Sequence, residues 1–110
     1  MINYTTPTIS LTVEGVDLSG MDVYVSLEQG QKELTKTGDD LIIEPIIGEE
    51  TTDTKITFTL TQEESASFDF GKSVSVQVNF INASGSRDAT EIKSFPVMRN
   101  LLDEVIEYGD

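Results

Sequence analysis

The sequence contains no cysteine, no histidine and no tryptophan, and only 7 of its 110 residues are lysine or arginine. Without cysteine, the chain has no disulfide, no thiolate nucleophile and no cysteine-ligated zinc. Without histidine, it lacks the commonest general base and metal ligand of enzymes. A serine or threonine nucleophile would therefore have no histidine to activate it. From these absences we expect a protein that is not an enzyme.

Basic residues are outnumbered by 20 aspartates and glutamates, which gives a formal net charge of -13. Affinity for nucleic acid rests mainly on lysine and arginine contacts to phosphate, and attraction to anionic membranes depends on the same side chains. We therefore expect no nucleic-acid partner and no membrane partner. The charge favours solubility and would suit a basic protein partner.

Long apolar runs are also missing, since no stretch approaches the roughly 18 residues of a membrane span. Residues 1–10 contain no basic region followed by an apolar run, so we expect no secretory signal peptide. A length of 110 residues is typical of one domain and is enough to bury a core.

Apolar and polar residues alternate in several parts of the chain, and a period of two is typical of half-buried strands. The clearest runs are residues 9–13, 23–27, 56–60 and 74–80. Weaker strands are predicted over 31–36, 41–47 and 89–97. Pro45 is expected to interrupt its ladder, and Pro96 to mark an edge or a strand end. The pattern predicts an all-β antiparallel sandwich of about seven strands.

Two segments depart from this alternation. Residues 61–64, Thr-Gln-Glu-Glu, match the capping box of a helix, so one short helical turn is predicted near 61–66. Near the end of the chain, Leu101, Leu102, Val105 and Ile106 recur at helical spacing. We therefore divide the chain into a β-sandwich domain over residues 1–98 and a segment over 99–110, which is either an acidic C-terminal tail or a short helix.

Acidic pairs are the only candidates for chemistry, at Asp39-Asp40, Glu49-Glu50 and Glu63-Glu64. Neighbouring residues of a strand point to opposite faces, so such pairs do not converge on one substrate atom as glycosidase carboxylates do. Glu49, Glu50 and Asp53 share one loop, which fits either a bound cation or a plain charged turn. The sequence assigns no catalytic residue, no metal ligand and no cofactor.

Binding surfaces are easier to propose than catalytic ones. Tyr24 lies on the polar side of its strand, and exposed tyrosines are common at interfaces. Strands 31–36 and 89–97 are the predicted sheet edges, whose unpaired N–H and C=O groups can pair with another chain. The candidate interface residues are Tyr24, Gln31, Glu33, Leu101, Leu102, Val105 and Ile106. The phenylalanines are predicted to be core residues, at Phe58, Phe68, Phe70, Phe80 and Phe95.

One set of segments goes beyond a generic strand pattern. It comprises residues 23–37 followed by Asp39-Asp40, the run Ile-Thr-Phe-Thr-Leu-Thr-Gln-Glu-Glu over 56–64, and Val-Ser-Val-Gln-Val over 74–78. Together these segments resemble a family of small proteins encoded among the tail genes of phages and prophages of Gram-positive bacteria. They are similar, more distantly, to the N-terminal domain of siphophage baseplate upper proteins. The resemblance covers roughly residues 8–97.

The resemblance implies an immunoglobulin-like sandwich and a virion structural or accessory role in the tail or baseplate. It also implies synthesis in the bacterial cytoplasm, location in the virion, and other tail or baseplate proteins as partners. A homo-oligomer is a further candidate assembly. The alternative is a bacterial carbohydrate- or cell-surface-binding module that uses Tyr24, although the lack of tryptophan counts against it.

Overall fold

Eight short strands make up nearly half of the residues in the computed structural model, which describes residues 1–106. The strands are β1 (Thr8–Val13), β2 (Asp22–Gln29), β3 (Lys32–Thr37), β4 (Ile42–Ile47), β5 (Thr52–Thr59), β6 (Ser73–Ile81), β7 (Arg87–Ala89) and β8 (Lys93–Pro96). A 3₁₀ turn (Gly38–Asp40) separates β3 from β4, and a short helix α1 (Gln62–Ala66) separates β5 from β6.

The strands form two antiparallel sheets. The three-stranded sheet has the order β1-β5-β4, and the larger sheet has the order β3-β2-β6-β7, with β8 also paired to β6. This is the pairing of an immunoglobulin-like sandwich without its first strand, because β1, β5 and β4 take the places of strands B, E and D. The prediction of an all-β antiparallel sandwich is confirmed. The predicted final strand, 89–97, is divided between β7 and β8.

The core lies between the sheets and follows from the alternation in sequence. Ile56 and Phe58 of β5 point inward, and Val25 and Leu27 of β2 face them from the other sheet, all nearly inaccessible to solvent. Burying an aliphatic or aromatic side chain of this size contributes about 1.5–3 kcal/mol relative to exposure. Inward and outward residues alternate along β6 without a break over Ser73–Ile81.

The predicted capping box lies at the N-terminus of α1. Thr61 Oγ1 accepts a hydrogen bond from the Glu64 N–H at 3.1 Å, and Glu64 Oε1 accepts one from the Thr61 N–H at 2.9 Å. Ser65 is buried and donates its hydroxyl to the Thr5 carbonyl at 2.7 Å. The helical turn near 61–66 is therefore confirmed, and it ties the segment before β1 to the crossover between the sheets.

Strand β4 continues through Pro45, so the expectation that Pro45 interrupts the ladder was wrong. The Leu60 N–H donates to the Pro7 carbonyl at 3.0 Å and extends the β1–β5 register. Bonded and non-bonded pairs alternate in an antiparallel ladder, so Val13 and Thr54 are also a bonded pair. The backbone groups of Thr54 therefore face β1, and Pro45, on the other side of Thr54, needs no N–H for pairing.

The segment after the sandwich has bends but no helix over residues 99–106, so the short-helix alternative does not hold there. Side-chain amides take the N–H groups that a helix would use. Asn100 Oδ1 accepts from the Leu102 N–H, and Gln62 Oε1 accepts from the Ile106 N–H. The rest of the predicted segment, 107–110, lies outside the described residues. No helix within residues 1–106 is long and apolar enough to cross a membrane.

Candidate functional site

Exposed apolar side chains gather at the end of the sandwich where the two ends of the described chain meet. Of the twelve large hydrophobic residues exposed within residues 1–106, seven lie there. We call them the terminal patch: Ile2, Phe70, Met98, Leu101, Leu102, Val105 and Ile106. Leu101 is 87% exposed, the highest fraction among them. An apolar concentration of this kind is unusual for a surface that contacts only water.

Backbone pairing brings the first and last parts of this patch together. Ile2 forms a parallel bridge with Met98, and the Asn3 N–H donates to the Met98 carbonyl at 3.1 Å. Buried Asn3 then binds the chain after Met98, because its Oδ1 accepts from the Asn100 N–H and its carbonyl accepts from Asn100 Nδ2, both at 3.1 Å. Since buried polar groups must be hydrogen-bonded, these contacts fix residues 98–100 against the sandwich.

The Asn3–Asn100 contacts form one clamp on the segment 98–106, and a second clamp holds its other end. The Gln62 side chain donates through Nε2 to the Ile106 carbonyl and accepts at Oε1 from the Ile106 N–H, each at 2.8 Å. Between the clamps, the side chains of residues 101–105 remain exposed. Arg99 adds a cation–π contact to Phe70, with its guanidinium carbon 5.9 Å from the ring centre. The segment is therefore held by its backbone and presents its apolar side chains outward.

Four of the predicted interface residues, Leu101, Leu102, Val105 and Ile106, meet in this patch. Gln31 is exposed in the hairpin loop between β2 and β3, at the same end of the molecule. The following residue, Lys32, forms an exposed ion pair at 3.0 Å with Asp69, next to Phe70. The buried Gln29 amide also joins this hairpin to the loop after α1, with Nε2 donating to the Asp69 carbonyl at 2.9 Å.

Tyr24 lies apart from these residues, near the start of β2 and on the outer face of the larger sheet. Its side chain is 43% exposed, as predicted for the polar side of the strand. It lines a shallow depression of ≈ 390 Å³ with Ile81 and Arg87. Arg87 donates to Asn79 Oδ1 from Nη2 at 3.0 Å and from Nε at 3.3 Å, which fixes the guanidinium. Glu33 is on the same face, opposite Glu28 and nearer the hairpin loop.

The predicted acidic loop, Glu49 to Asp53, contains no cluster suited to a metal. Asp53, the second residue of β5, instead accepts the Gly15 N–H at Oδ1 at 2.8 Å and so joins β5 to the turn after β1. Nowhere within residues 1–106 do three acidic, histidine or cysteine side chains come together as metal ligands would. Phe70 is exposed in the terminal patch, so its prediction as a core residue was wrong. It follows α1 in a loop, where no alternation indicates which side it faces.

One titratable pair lies between the sheets near α1. Lys36 points inward from β3 and donates to Glu64 Oε1 at 2.8 Å, with only 11% of the lysine side chain exposed. Burial alone would raise the pKa of Glu64, but hydrogen bonds from Lys36 and Thr61 outweigh it and hold the pKa below its ordinary value. Because both charges are satisfied here, we read this pair as structural.

Sequence reasoning missed several contributors to these surfaces. Ile2, Met98 and Arg87 carry no pattern that marks them, since their roles depend on pairings between distant segments. Comparison of the chain with protein-family models, with curated proteins and with solved structures gave no match.

Proposed function

We propose that this protein is a non-enzymatic β-sandwich module that works by contact with other proteins, as a structural or accessory component of a phage or prophage tail or baseplate. The observation that carries the proposal of protein contact is the terminal patch. The narrower proposal of a tail or baseplate role rests on the resemblance of residues 8–97 to the phage-tail family.

The way the terminal patch is held favours a role in binding a partner protein. Its segment is held at Asn100 and at Ile106 by paired side-chain and backbone hydrogen bonds, so its shape is set before a partner arrives. Binding then orders little additional chain, which lowers the entropic cost of association. Apolar side chains on a fixed support, with acidic residues among them, match the apolar centre and polar rim of protein interfaces.

Charge indicates what kind of partner would fit. Asp103 and Glu104 lie within the patch segment, and the whole chain has a formal net charge of -13. A basic partner surface would be attracted and would associate faster, with an effect that salt screens. The proposed partner is therefore another tail or baseplate protein with a basic surface around an apolar pocket.

The proposal can be tested with a matched pair of substitutions. Leu101→Asp places a charge in the patch, and Ile47→Asp places one at a similarly exposed isoleucine of β4, 82% exposed. In pull-downs with tail and baseplate proteins encoded beside this chain, we expect Leu101→Asp to weaken capture by about 30-fold or more, as for an interface hot spot. Ile47→Asp should bind as the unmodified protein does. Equal binding by all three proteins, or no capture by any, would contradict the proposal.

A second candidate function has one observation in its favour. Tyr24 and the fixed guanidinium of Arg87 share the depression on the outer face, an arrangement that could hold a saccharide with a carboxylate group. This is the cell-surface-binding alternative. A glycan array probed with the unmodified protein and with Tyr24→Ala would decide it, because the alternative requires hits that the substitution removes.

A further inference from the structure

A cleft runs along β1, away from the terminal patch. Two adjoining hollows of ≈ 340 and ≈ 420 Å³ lie between β1 and the segment that joins β7 to β8. Val76, Val78 and Phe80 of β6 line them from the opposite sheet. These alternate residues share the inner face of β6, so the cleft opens towards the core. This is the side where an immunoglobulin-like sandwich carries its first strand.

The outer edge of β1 has free backbone groups. The bonded pair formed by Pro7 and Leu60 sets the alternation, so Ile9, Leu11 and Val13 bond to β5. Thr8, Ser10 and Thr12 then direct their N–H and C=O groups away from the sheet, and all three residues are exposed. Within residues 1–106, β1 pairs with no strand other than β5.

The other three edges each carry a feature that discourages strand pairing. On β4, Pro45 removes the central outward N–H. On β3, Lys36 points inward and pairs with Glu64, and inward charges on edge strands are a known protection against strand pairing. Such features are used by natural sheets to prevent association between edges. β1 has no proline, no charged residue and a regular register over its whole length.

The edge formed by β7 and β8 is broken by a bulge. β6 pairs regularly with β7 over Asn79–Ile81 and with β8 over Ser73–Val76, and between these stretches the Thr90 N–H donates to the Val78 carbonyl at 2.9 Å. There, Thr90 Oγ1 accepts the Val78 N–H at 3.1 Å in place of a backbone carbonyl. Bulges end regular pairing, so this edge is a poor template for an added strand, and it leaves the cleft beside β1 open.

We infer that β1 accepts an extended segment of a different, basic polypeptide, which adds as a fourth strand to the three-stranded sheet and places alternate apolar side chains in the cleft. Main-chain hydrogen bonds to Thr8, Ser10 and Thr12 provide the affinity, and the cleft selects the side chains. The inference does not rest on the terminal patch or on the proposed function, because it concerns a separate surface.

Charge identifies the occupant. Glu14, Asp88 and Glu91 line the two hollows, and Lys93 is the only basic residue that does. A second copy that docked here through β1 would bring the same three acidic side chains to the cleft, so two copies repel each other at this edge. A segment that alternates apolar and basic residues satisfies both the cleft and its acidic rim.

The test uses a labelled synthetic peptide that alternates valine and lysine over about nine residues, enough to span β1 at roughly 3.3 Å per residue. One control peptide has the same composition with its valines grouped together, and another replaces lysine with glutamate. The variant is Ser10→Pro, which removes the central outward N–H without loss of a backbone hydrogen bond to β5, although the exposed contact of Ser10 Oγ with Thr57 Oγ1 at 3.3 Å is lost. Its matched control is Thr35→Pro, at the centre of the β3 edge. Counted from the Gln29–Lys32 pair that closes the hairpin, Thr35 also faces outward.

Fluorescence anisotropy should show binding of the alternating valine–lysine peptide and at least about fivefold weaker binding by Ser10→Pro, the loss expected for one backbone hydrogen bond. Thr35→Pro and the unmodified protein should bind alike. Amide NMR signals of Thr8, Ser10 and Thr12 in the unmodified protein should shift with the peptide, which tests the site even if Ser10→Pro does not fold. Equal binding by folded Ser10→Pro, or shifts elsewhere only, would overturn the inference. Preference for the glutamate peptide, or a dimer of the unmodified protein that Ser10→Pro dissociates, would contradict the claim that the occupant is a different, basic polypeptide.

Discussion

Strands β1 and β4 are the two edges of one sheet. They differ in two separate properties, the exposure of apolar side chains and the availability of backbone groups for strand pairing. Each pairs with β5 over six residues. β4 exposes Ile42, Ile46 and Ile47, but Pro45 stands at the centre of its outward donors. β1 turns hydroxyls to solvent and keeps its outward backbone groups free. The comparison teaches that exposed apolar residues alone do not identify the edge that can accept a strand.

The largest effect on stability is expected at Ile56 of β5, because this strand lies between the two edge strands and pairs with both. Ile56 of β5 is fully buried and lies opposite Leu11 on β1 and Ile43 on β4. Ile56→Ala should lower the free energy of unfolding by about 2–5 kcal/mol through lost burial and a cavity. Thr57→Ala, on the outer face of the same strand, should cost less than about 1 kcal/mol. Urea denaturation measures both, and similar losses for the two variants would mean that β5 does not support the edges as described.

A middle-sized effect is expected at β3, an edge of the larger sheet that is protected by the inward charge of Lys36. Lys36→Met removes the partner of a mostly buried carboxylate and should lower the free energy of unfolding by about 1–3 kcal/mol. Lys32→Met, which breaks the exposed pair with Asp69, should change it by less than about 1 kcal/mol. Thermal unfolding distinguishes them. If Lys32→Met is the more damaging, the inward lysine does not hold β3 to α1.

The same pair predicts a dependence on pH. The pKa of Glu64 in the folded protein lies below its ordinary value of 4.5, so its ionisation stabilises the fold above that value. This contribution is lost as the pH falls through the folded pKa. Glu64→Gln should therefore be less stable than the unmodified protein at neutral pH, and the gap should narrow below about pH 4.5. A gap that stays constant from pH 7 to pH 3 would show that the carboxylate charge contributes nothing.

The smallest change in stability is expected at Pro45, where the comparison itself can be reversed. Pro45→Thr restores an outward N–H to β4 and should lower the free energy of unfolding by only about 0.4–1 kcal/mol, since proline restricts the unfolded chain. With that donor present and isoleucines exposed beside it, β4 should now associate with other strands. Sedimentation would show new, concentration-dependent species. A monodisperse Pro45→Thr protein would indicate that proline is not what keeps this edge unpaired.

The sheets could be predicted from sequence because their inner and outer residues differ in polarity. Ile56 and Phe58 alternate with threonines, so the period of two is visible without a structure. The capping box of α1 was visible for a similar reason, since Thr61 and Glu64 interact across one turn. Gly30 is a local signal of the same kind, since its φ of 61° suits the tight loop between β2 and β3.

The surfaces could not be predicted to the same degree. The terminal patch needs Asn3 to meet Asn100 and Gln62 to meet Ile106, contacts that no local pattern indicates. Helical spacing in the last segment predicted a helix, but the N–H groups of Leu102 and Ile106 donate to side-chain amides and not to helical carbonyls. The open edge of β1 was missed because its sequence resembles that of any half-buried strand. Its exposure becomes evident only when the pairing of all strands is known.

Hydrogen exchange along β1 tests the central claim, the open edge, most directly. In the unbound protein, the amides of Ser10 and Thr12 should exchange at rates near those of an unfolded chain, while those of Ile9, Leu11 and Val13 remain protected by β5. Addition of the alternating valine–lysine peptide should slow exchange at Ser10 and Thr12 and leave β4 unchanged. Protection of Ser10 and Thr12 before any peptide is added would contradict the claim, because it would mean that the edge is already covered.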